Sequence, residues 1–418
     1  MNINKSHNSA LKLIFEKALQ SVNGRRCVAQ YLQQDPLHGD VCLVSIGKAA
    51  CQMAKGAQLV LGNRIRDNLI ITKHDGCAGE ELTGLHVVQT GHPVPDQRSL
   101  QAGQQLLTLL REMPASVKLL FLISGGASAL VEALPASFDL EHLQRLNQWL
   151  LHSGLPIDTM NAIRKQVSAI KGGRLAQYLN GRDTTVLFIS DVQGDDPAVI
   201  GSGLLFASDD ALTSSDAQKL PPDILDMLNQ TPPMPEQGDD CFKSVRWKII
   251  ASLQQAINAA NNAAKDLGYE TIIHQDYLQG DAIKAGRDIA QSLQSRPGKL
   301  HIWGGETTVT LPDKPGTGGR CQSLALSAAM ALHHHQQWSL LAAGTDGDDG
   351  NSGAAGVCID ATSLERATQK PEIDLAPADY LKRADAGTLF AASCDLLITG
   401  PTGTNVTDLV MGYLNDYP

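Results

Sequence analysis

Short glycine-rich segments recur along this chain, and most of them place a cation, a carboxylate or a hydroxyl directly behind an apolar run. Gly47-Lys48-Ala49-Ala50 follows VCLVSI (41–46). A lysine at the start of a helix meets an end that is already positive, and a bound anion would offset the mismatch; a lysine reaching into solvent is the plain alternative. The segment is not a Walker A loop, because the first glycine of that pattern falls at Cys42 and Ala49 replaces its Ser/Thr. Ser124-Gly125-Gly126-Ala127-Ser128 follows VKLLFLI (117–123). Bare backbone N–H groups there can form an anion nest, and a tight turn that needs small residues gives the same sequence.

Carboxylates crowd SDVQGDDPAVIGSG (190–203), with Asp191, Asp195 and Asp196 beside glycines. Mg²⁺ held by one or two of them together with phosphate oxygens would relieve their repulsion, whereas a solvated acidic loop needs no ion. Arg164, Lys165, Lys171 and Arg174 lie within eleven residues of a segment expected to be helical over 158–179. Arg164 and Lys171, seven apart, would share one face of such a helix, and Gly172-Gly173 would break it or admit a close neighbour. In TGHPVPD (90–96), Asp96 suits a helix N-cap and His92 is ambiguous.

The second half repeats the theme. Gly304-Gly305-Glu306-Thr307 follows KLHIW (299–303), and PDKPGTGGR delivers Arg320 to a helix start. GTDGDDGNSGAAG (344–356) carries Asp346, Asp348 and Asp349 but lacks the order and the closing Glu of a calcium loop. GPTGTNVTD (400–408) offers Thr402 and Asn405. The histidines 333–335 read as a solvated helix end. Together the loops point to a polyphosphate and metal site, with the parts that phosphoryl transfer requires.

These loops must be positioned by strands and helices. Strands are expected at 41–46, 68–72, 86–89, 117–123 and 184–189, and helices at 48–61, 96–110, 139–151 and 158–179. Such alternation implies βαβ units and a largely parallel sheet, with ligands outside the carboxyl ends of its strands. The segment 214–240, rich in Pro, Asp and Gln, reads as a linker or a partly helical excursion. The pattern then restarts with a helix over about 245–267, strands at 271–274, 299–303, 307–311, 338–343, 356–359 and 395–399, and helices near 281–294 and 321–333. The fold class is α/β: two three-layer, Rossmann-like domains with largely parallel or mixed sheets, covering 1–240 and 241–418, with the site in the cleft between them.

Composition limits the alternatives. The 418 residues are 43% apolar and 19% charged, ordinary for a globular protein of two domains. A net charge of −10 argues against nucleic-acid binding. No apolar run reaches the ~20 residues of a membrane span, and the N-terminus reads as an amphipathic helix rather than a signal peptide. None of the eight cysteines has CxxC spacing; Cys42 and Cys358 read as buried thiols of a cytoplasmic protein. The oligomeric state is open, with a homodimer as one option.

SIGKAA, GHPVPD, LISGGASAL, NAIRKQVSAIKGGRLA, ISDVQGDDPAVIGSG, WGGETTVT, GTGGRCQSLAL, AAGTDGDDG and TGPTGTNVTDL occur in this order over residues 45–409. In these segments the chain resembles the glycerate 2-kinase family with a MOFRL domain, whose members also carry the name hydroxypyruvate reductase. The resemblance implies ATP- and Mg²⁺-dependent phosphorylation of D-glycerate at its 2-hydroxyl. It makes Lys48 and Arg320 the catalytic cations and Asp191 and Asp195 the metal or substrate-orienting carboxylates, with Asp191 counted as catalytic. Ser124, Gly125, Gly126, Ser128, Arg164 and Lys171 are candidates for binding substrate or phosphate in the first half. Glu306, Asp346, Thr402 and Asn405 are their counterparts in the second. The chain departs from the family pattern at Leu204, Cys321, Ser323 and Gly353, which leaves a kinase for a related small hydroxy acid as an alternative. An NAD(P)H-dependent reductase would need a G-x-G-x-x-G fingerprint after an early strand, and there is none.

Overall fold

The protein is described by a computed structural model covering residues 3–79, 81–208, 212 and 219–416. It divides into two units, Gly24–Ile250 and Met1–Asn23 with Ala251–Pro418. The division thus falls ten residues after the expected 240, and the N-terminal helix Ile3–Ser21 belongs with the C-terminal half. That helix buries Leu11, Ile14, Phe15 and Ala18, the apolar stripe read from the sequence.

In the first unit the strands are β1 (Val41–Ile46), β2 (Ile65–Lys73), β3 (Val87–Thr90), β4 (Lys118–Ile123), β5 (Thr184–Ile189) and β6 (Val245–Ala251), in the order β3-β2-β1-β4-β5-β6. All pairs from β3 to β5 are parallel. β1, β4 and β5 are buried along nearly their whole length, which is why they read as continuous apolar runs. The strand order reverses between β1 and β4, so the loops after these two strands flank the topological switch point.

In the second unit β7 (Thr271–Ile273), β8 (Leu300–Gly305), β9 (Trp338–Gly344), β10 (Gly356–Asp360), β11 (Leu396–Leu397) and β12 (Asp408–Leu414) form the order β11-β10-β9-β12-β8-β7. Only β7–β8 is parallel; the other four pairs are antiparallel, so this sheet is mixed.

Several expectations change. The helix expected over 245–267 is β6 followed by a helix at Leu253–Asp266 that starts with a Ser252 capping box. Residues 307–311 form no strand, only an isolated bridge at Thr308. The basic helix stops at Gln166, and Gly172 and Gly173, at φ 59° and 84°, turn the chain before a short 3₁₀ segment. Part of the 214–240 segment, residues 214–218, lies outside the described residues. Beyond it the helix Pro222–Gln230 packs Ile224 and Met227 against Leu143, Leu146 and Val167. Cys51 and Cys77 are paired as a disulfide, Cα atoms 5.7 Å apart, contrary to a reading of scattered thiols. Cys42 and Cys358 are buried and free as expected. No helix among the described residues is long and apolar enough to cross a membrane.

Candidate active site

The first unit assembles its loops by mutual hydrogen bonding. The Ser124 hydroxyl accepts from the Ala49 amide at 3.1 Å, the Lys48 amide donates to the Gly125 carbonyl at 2.9 Å, and Thr72 Oγ1 donates to the Gly47 carbonyl at 2.9 Å. Gly47 adopts φ 133°, and a Cβ there would stand 2.1 Å from Ser124 Oγ, so glycine is required. Ser124 and Gly125, expected to bind substrate or phosphate, are buried, and the Ser124 hydroxyl and the Gly125 carbonyl serve this stitching. The helix after them is a single turn, Ala127–Leu130. Gly126 and Ser128 remain half-exposed. Over Gly126 stand the His92 ring and the Lys48 stem: a Cβ at Gly126 would lie 3.0 Å from His92 Nε2 and 3.2 Å from Lys48 Cγ. Asp96 caps the helix Gln97–Glu112 through the amides of Arg98 and Ser99, as expected.

A cavity of about 270 Å³ opens beside this loop, lined by His92, Gly126, Ser128, Asn147, Arg164 and Lys171 among others. The basic cluster divides its work there. Arg174, 1% exposed, donates to the carbonyls of Lys165, Lys171, Gln166 and Pro232, and burial lowers its pKa to about 10. Lys165 donates to the Ala198 carbonyl and Ser208. Lys171 is ion-paired with Glu132, both nearly fully buried, and Ser168 also donates to Glu132. Lys171, expected as a substrate or phosphate ligand, lines the cavity as a charge-paired cation, and it does not share a helix with Arg164. Arg164, unlike Lys171, faces the cavity without a carboxylate partner: Nε donates to Asn147 Oδ1 at 3.3 Å and Nη1 to Asn161 Oδ1 at 3.2 Å.

After β5, Asp191 is half-buried. Asp196 accepts from the Ala198 amide, while the half-buried Asp195 carboxylate takes part in no hydrogen bond or ion pair among the described residues. Among the described residues no three His, Cys, Asp or Glu side chains are grouped to hold a metal on their own. The Asp195 carboxylate suits Mg²⁺ shared with phosphate oxygens, which takes only one or two protein carboxylates.

In the second unit, β12 runs antiparallel to both neighbours and sets Asp408 opposite Gly305 and Gly344, the last residues of β8 and β9. Arg320, first residue of the helix Arg320–Ala331, reaches this strand-end cluster. Its Nε and Nη2 donate to Asp408 at 2.6 and 2.8 Å, and its Nη1 lies 2.6 Å from Glu306 Oε1. The helix is held close by Gly286, where a Cβ would meet the Leu324 carbonyl at 2.3 Å. Asp349, 3% exposed, accepts from the amides of Cys321 and Gln322 at the helix start. Burial and the neighbouring Asp408 push its carboxyl up to about 6. Arg320, at the helix start as expected, is thus held between two carboxylates. The Asp346 side chain accepts from the Asp348 amide, Thr402 Oγ1 donates to the Thr345 carbonyl, and Asn405 is buried.

Beside Arg320 lies a cavity of about 510 Å³ whose wall includes Val309, Leu311, Pro315 and Gly319. A larger cavity, about 700 Å³, lies elsewhere in this unit over Lys12 and Arg366; there Asp360 and Asp395 neutralise Arg366.

Glu132, Asn147, Asn161 and Asp408 were missed by the sequence reading. Of the four departures, Leu204 and Cys321 are buried in the two cores and Gly353 has open space around its Cα. Ser323 lines the 510 Å³ cavity.

Family models match over most of the chain: a domain of unknown function (DUF4147) at residues 10–232 and the MOFRL family at 299–408. The chain is 36% identical to the D-glycerate 2-kinase of Thermotoga maritima over 96% of its own length and 97% of that protein's. A relative from Agrobacterium vitis, 35% identical over 89% of this chain and 98% of its own, carries a provisional name as a hydroxypyruvate reductase. The crystal structure of Thermotoga maritima glycerate kinase superposes with a TM-score of 0.83 at 35% identity, covering 98% of this chain and all of that one. On sequence, domain content and fold together, the chain belongs to the glycerate 2-kinase family with a MOFRL domain.

Proposed function

We propose that this protein phosphorylates the 2-hydroxyl of D-glycerate with ATP, giving 2-phosphoglycerate. The observation that carries the reading is Lys48, held by the stitched Gly47–Ala49 and Ser124–Gly126 loops at a switch point beside a small cationic cavity. That is where an open α/β sheet binds its ligand. The 270 Å³ cavity suits a three-carbon acid. The 510 Å³ cavity with an apolar wall and Arg320 at its edge suits a nucleotide.

Lys48 and Arg320 are assigned to the negative charge of the transferring phosphoryl group, because fixed cations act most strongly where charge develops. Arg320 would exchange its exposed partner Glu306 for phosphate oxygens and stay oriented by the buried Asp408. Mg²⁺ would be held by Asp195 and Asp191 and would supply further positive charge to the nucleotide phosphates.

The test is ADP release by the purified protein with Mg²⁺-ATP and D-glycerate, L-glycerate, tartronate, tartrate or hydroxypyruvate, the product being identified by phosphorus NMR. D-glycerate is expected to turn over to 2-phosphoglycerate, with no oxidation of NADH by hydroxypyruvate. Lys48→Ala and Arg320→Ala are each expected to lower kcat by about 10²-fold or more. Silence on every acid would overturn the proposal, and near-normal turnover in either variant would remove that cation from the mechanism.

A further inference from the structure

We infer that Arg164, steered by Asn147 and Asn161, is the anchor for the carboxylate of the acceptor acid. This rests on the kinase reading above and names the part of the site that recognises the acid group.

The argument starts from how the four cations of the basic segment are used. Arg174 caps main-chain carbonyls, Lys165 is bound to Ala198 and Ser208, and Lys171 is neutralised by Glu132. Arg164 bonds only neutral amide oxygens, and no carboxylate of the described residues lies within ion-pair distance of it. It is half-buried, and burial lowers its pKa, so the charged form carries a cost that an anionic partner would remove.

Geometry then selects the kind of anion. Of the five N–H donors of a guanidinium, Asn147 and Asn161 engage one on Nε and one on Nη1. The second Nη1 hydrogen and both on Nη2 remain, and the Nη1–Nη2 edge is the fork that a carboxylate meets with two parallel hydrogen bonds. The two amides fix the plane of the fork before a ligand arrives, which reduces the entropy lost on binding. Asn147 stands on the helix Leu140–His152 and Asn161 on Ile157–Gln166, so two elements set the angle.

Charge and size agree. The Lys171–Glu132 pair sums to zero, and Arg164 leaves one uncompensated positive charge on this cavity, matching a monocarboxylate. Leu143, Leu146 and Val167 close it with apolar surface, which disfavours a second charged group. At Gly126 and His92 the cavity meets the side on which the Lys48 stem lies. A short acid held by its carboxylate at Arg164 would present its hydroxyl there.

The experiment compares wild type with Arg164→Gln, which removes the charge, and Arg164→Lys, which keeps the charge and loses the fork. For each, kcat and KM are measured for D-glycerate and for ATP, together with activity on glyceramide, whose carboxylate is replaced by an uncharged amide. Thermal unfolding of each variant reports folding. Arg164→Gln is expected to raise KM for D-glycerate about 10- to 100-fold, leave KM for ATP within about twofold, and erase the preference for glycerate over glyceramide. Arg164→Lys should fall between. An unchanged KM for glycerate, a parallel rise in KM for ATP, or a retained preference over glyceramide in a folded variant would overturn the inference. If the wild type phosphorylates none of the acids, calorimetric titration with D-glycerate separates the two readings. Binding by wild type and not by Arg164→Gln supports the anchor while the kinase reading fails; equal binding, or none by wild type, overturns the anchor.

Discussion

Arg320 holds both oxygens of Asp408, at 2.6 and 2.8 Å, and Asp408 is the first residue of a strand whose register places it against the ends of two others. The arginine is therefore aimed by a nearly buried carboxylate rather than by its own helix alone. Asp408→Asn keeps the shape and removes the charge. We expect kcat to fall by about tenfold or more through misorientation of Arg320, and stability to drop by about 2 kcal/mol, below the full cost of breaking a buried pair because Arg320 is partly exposed. Denaturant unfolding and steady-state kinetics on the same preparation check both.

Glu306 is the more exposed of the two partners, and in the kinase reading it competes with phosphate for Arg320 Nη1. Glu306→Gln should lower KM for ATP by about two- to fivefold and shift stability by under about 0.5 kcal/mol, because exposed ion pairs contribute little. A rise in KM for ATP would instead give Glu306 a direct part in holding the nucleotide.

The two units were legible to different degrees, for a physical reason. In the parallel sheet, β1 and β5 fall at the expected residues, because strands covered on both faces show as unbroken apolar runs and their ligands gather at one edge. Lys48 could be read on that basis. Asp408 could not: β12 runs antiparallel and offers its amino end to the edge where β8 and β9 offer their carboxyl ends, so Asp408 opens its strand whereas Lys48 comes after one. β6 was taken into the helix after it, since VRWKIIA is half-buried and merges with an amphipathic run. The basic segment showed four cations but not their partners. Glu132 and the two asparagines lie elsewhere in the chain or look ordinary in it, and only their contacts show that Arg164 is the cation left over.

Asp349 gives a pH dependence with a definite sign. Its carboxyl is raised to about 6 in the native state, first by burial and then by Asp408. An unfolded chain holds that proton only below about 4. Below the unfolded value both states are protonated and the contribution to stability is fully present; as pH rises to 6 and beyond, it is lost, because the native state must bury the charge. For a shift of this size the loss is at most about 3 kcal/mol. Asp349→Asn cannot ionise and keeps an acceptor for one of the two amides, those of Cys321 and Gln322, which now bond separate carboxylate oxygens; that lost bond is a constant offset, and only the pH-dependent part of the difference reports the carboxyl. Urea unfolding from pH 4.5 to 7.5 should show wild type losing stability relative to Asp349→Asn across this window, and a constant difference would place the native carboxyl in the ordinary range.

The Lys171–Glu132 pair tests whether the floor of the small cavity is structural. Both side chains are nearly fully buried, so removing one leaves an unpaired charge in the core. Lys171→Met should cost about 3–5 kcal/mol, and Glu132→Gln alone should be similarly damaging. Combining them removes both charges, and the double variant should recover a large part of the loss, a coupling that a double-mutant cycle measures directly. The double variant also keeps Arg164 as the uncompensated cation of the cavity, so KM for D-glycerate should stay within a few-fold of wild type wherever the protein folds. A KM that rises as steeply as in Arg164→Gln would move the acid's anchor onto Lys171, and full additivity of the two stability losses would show that the pair does not interact.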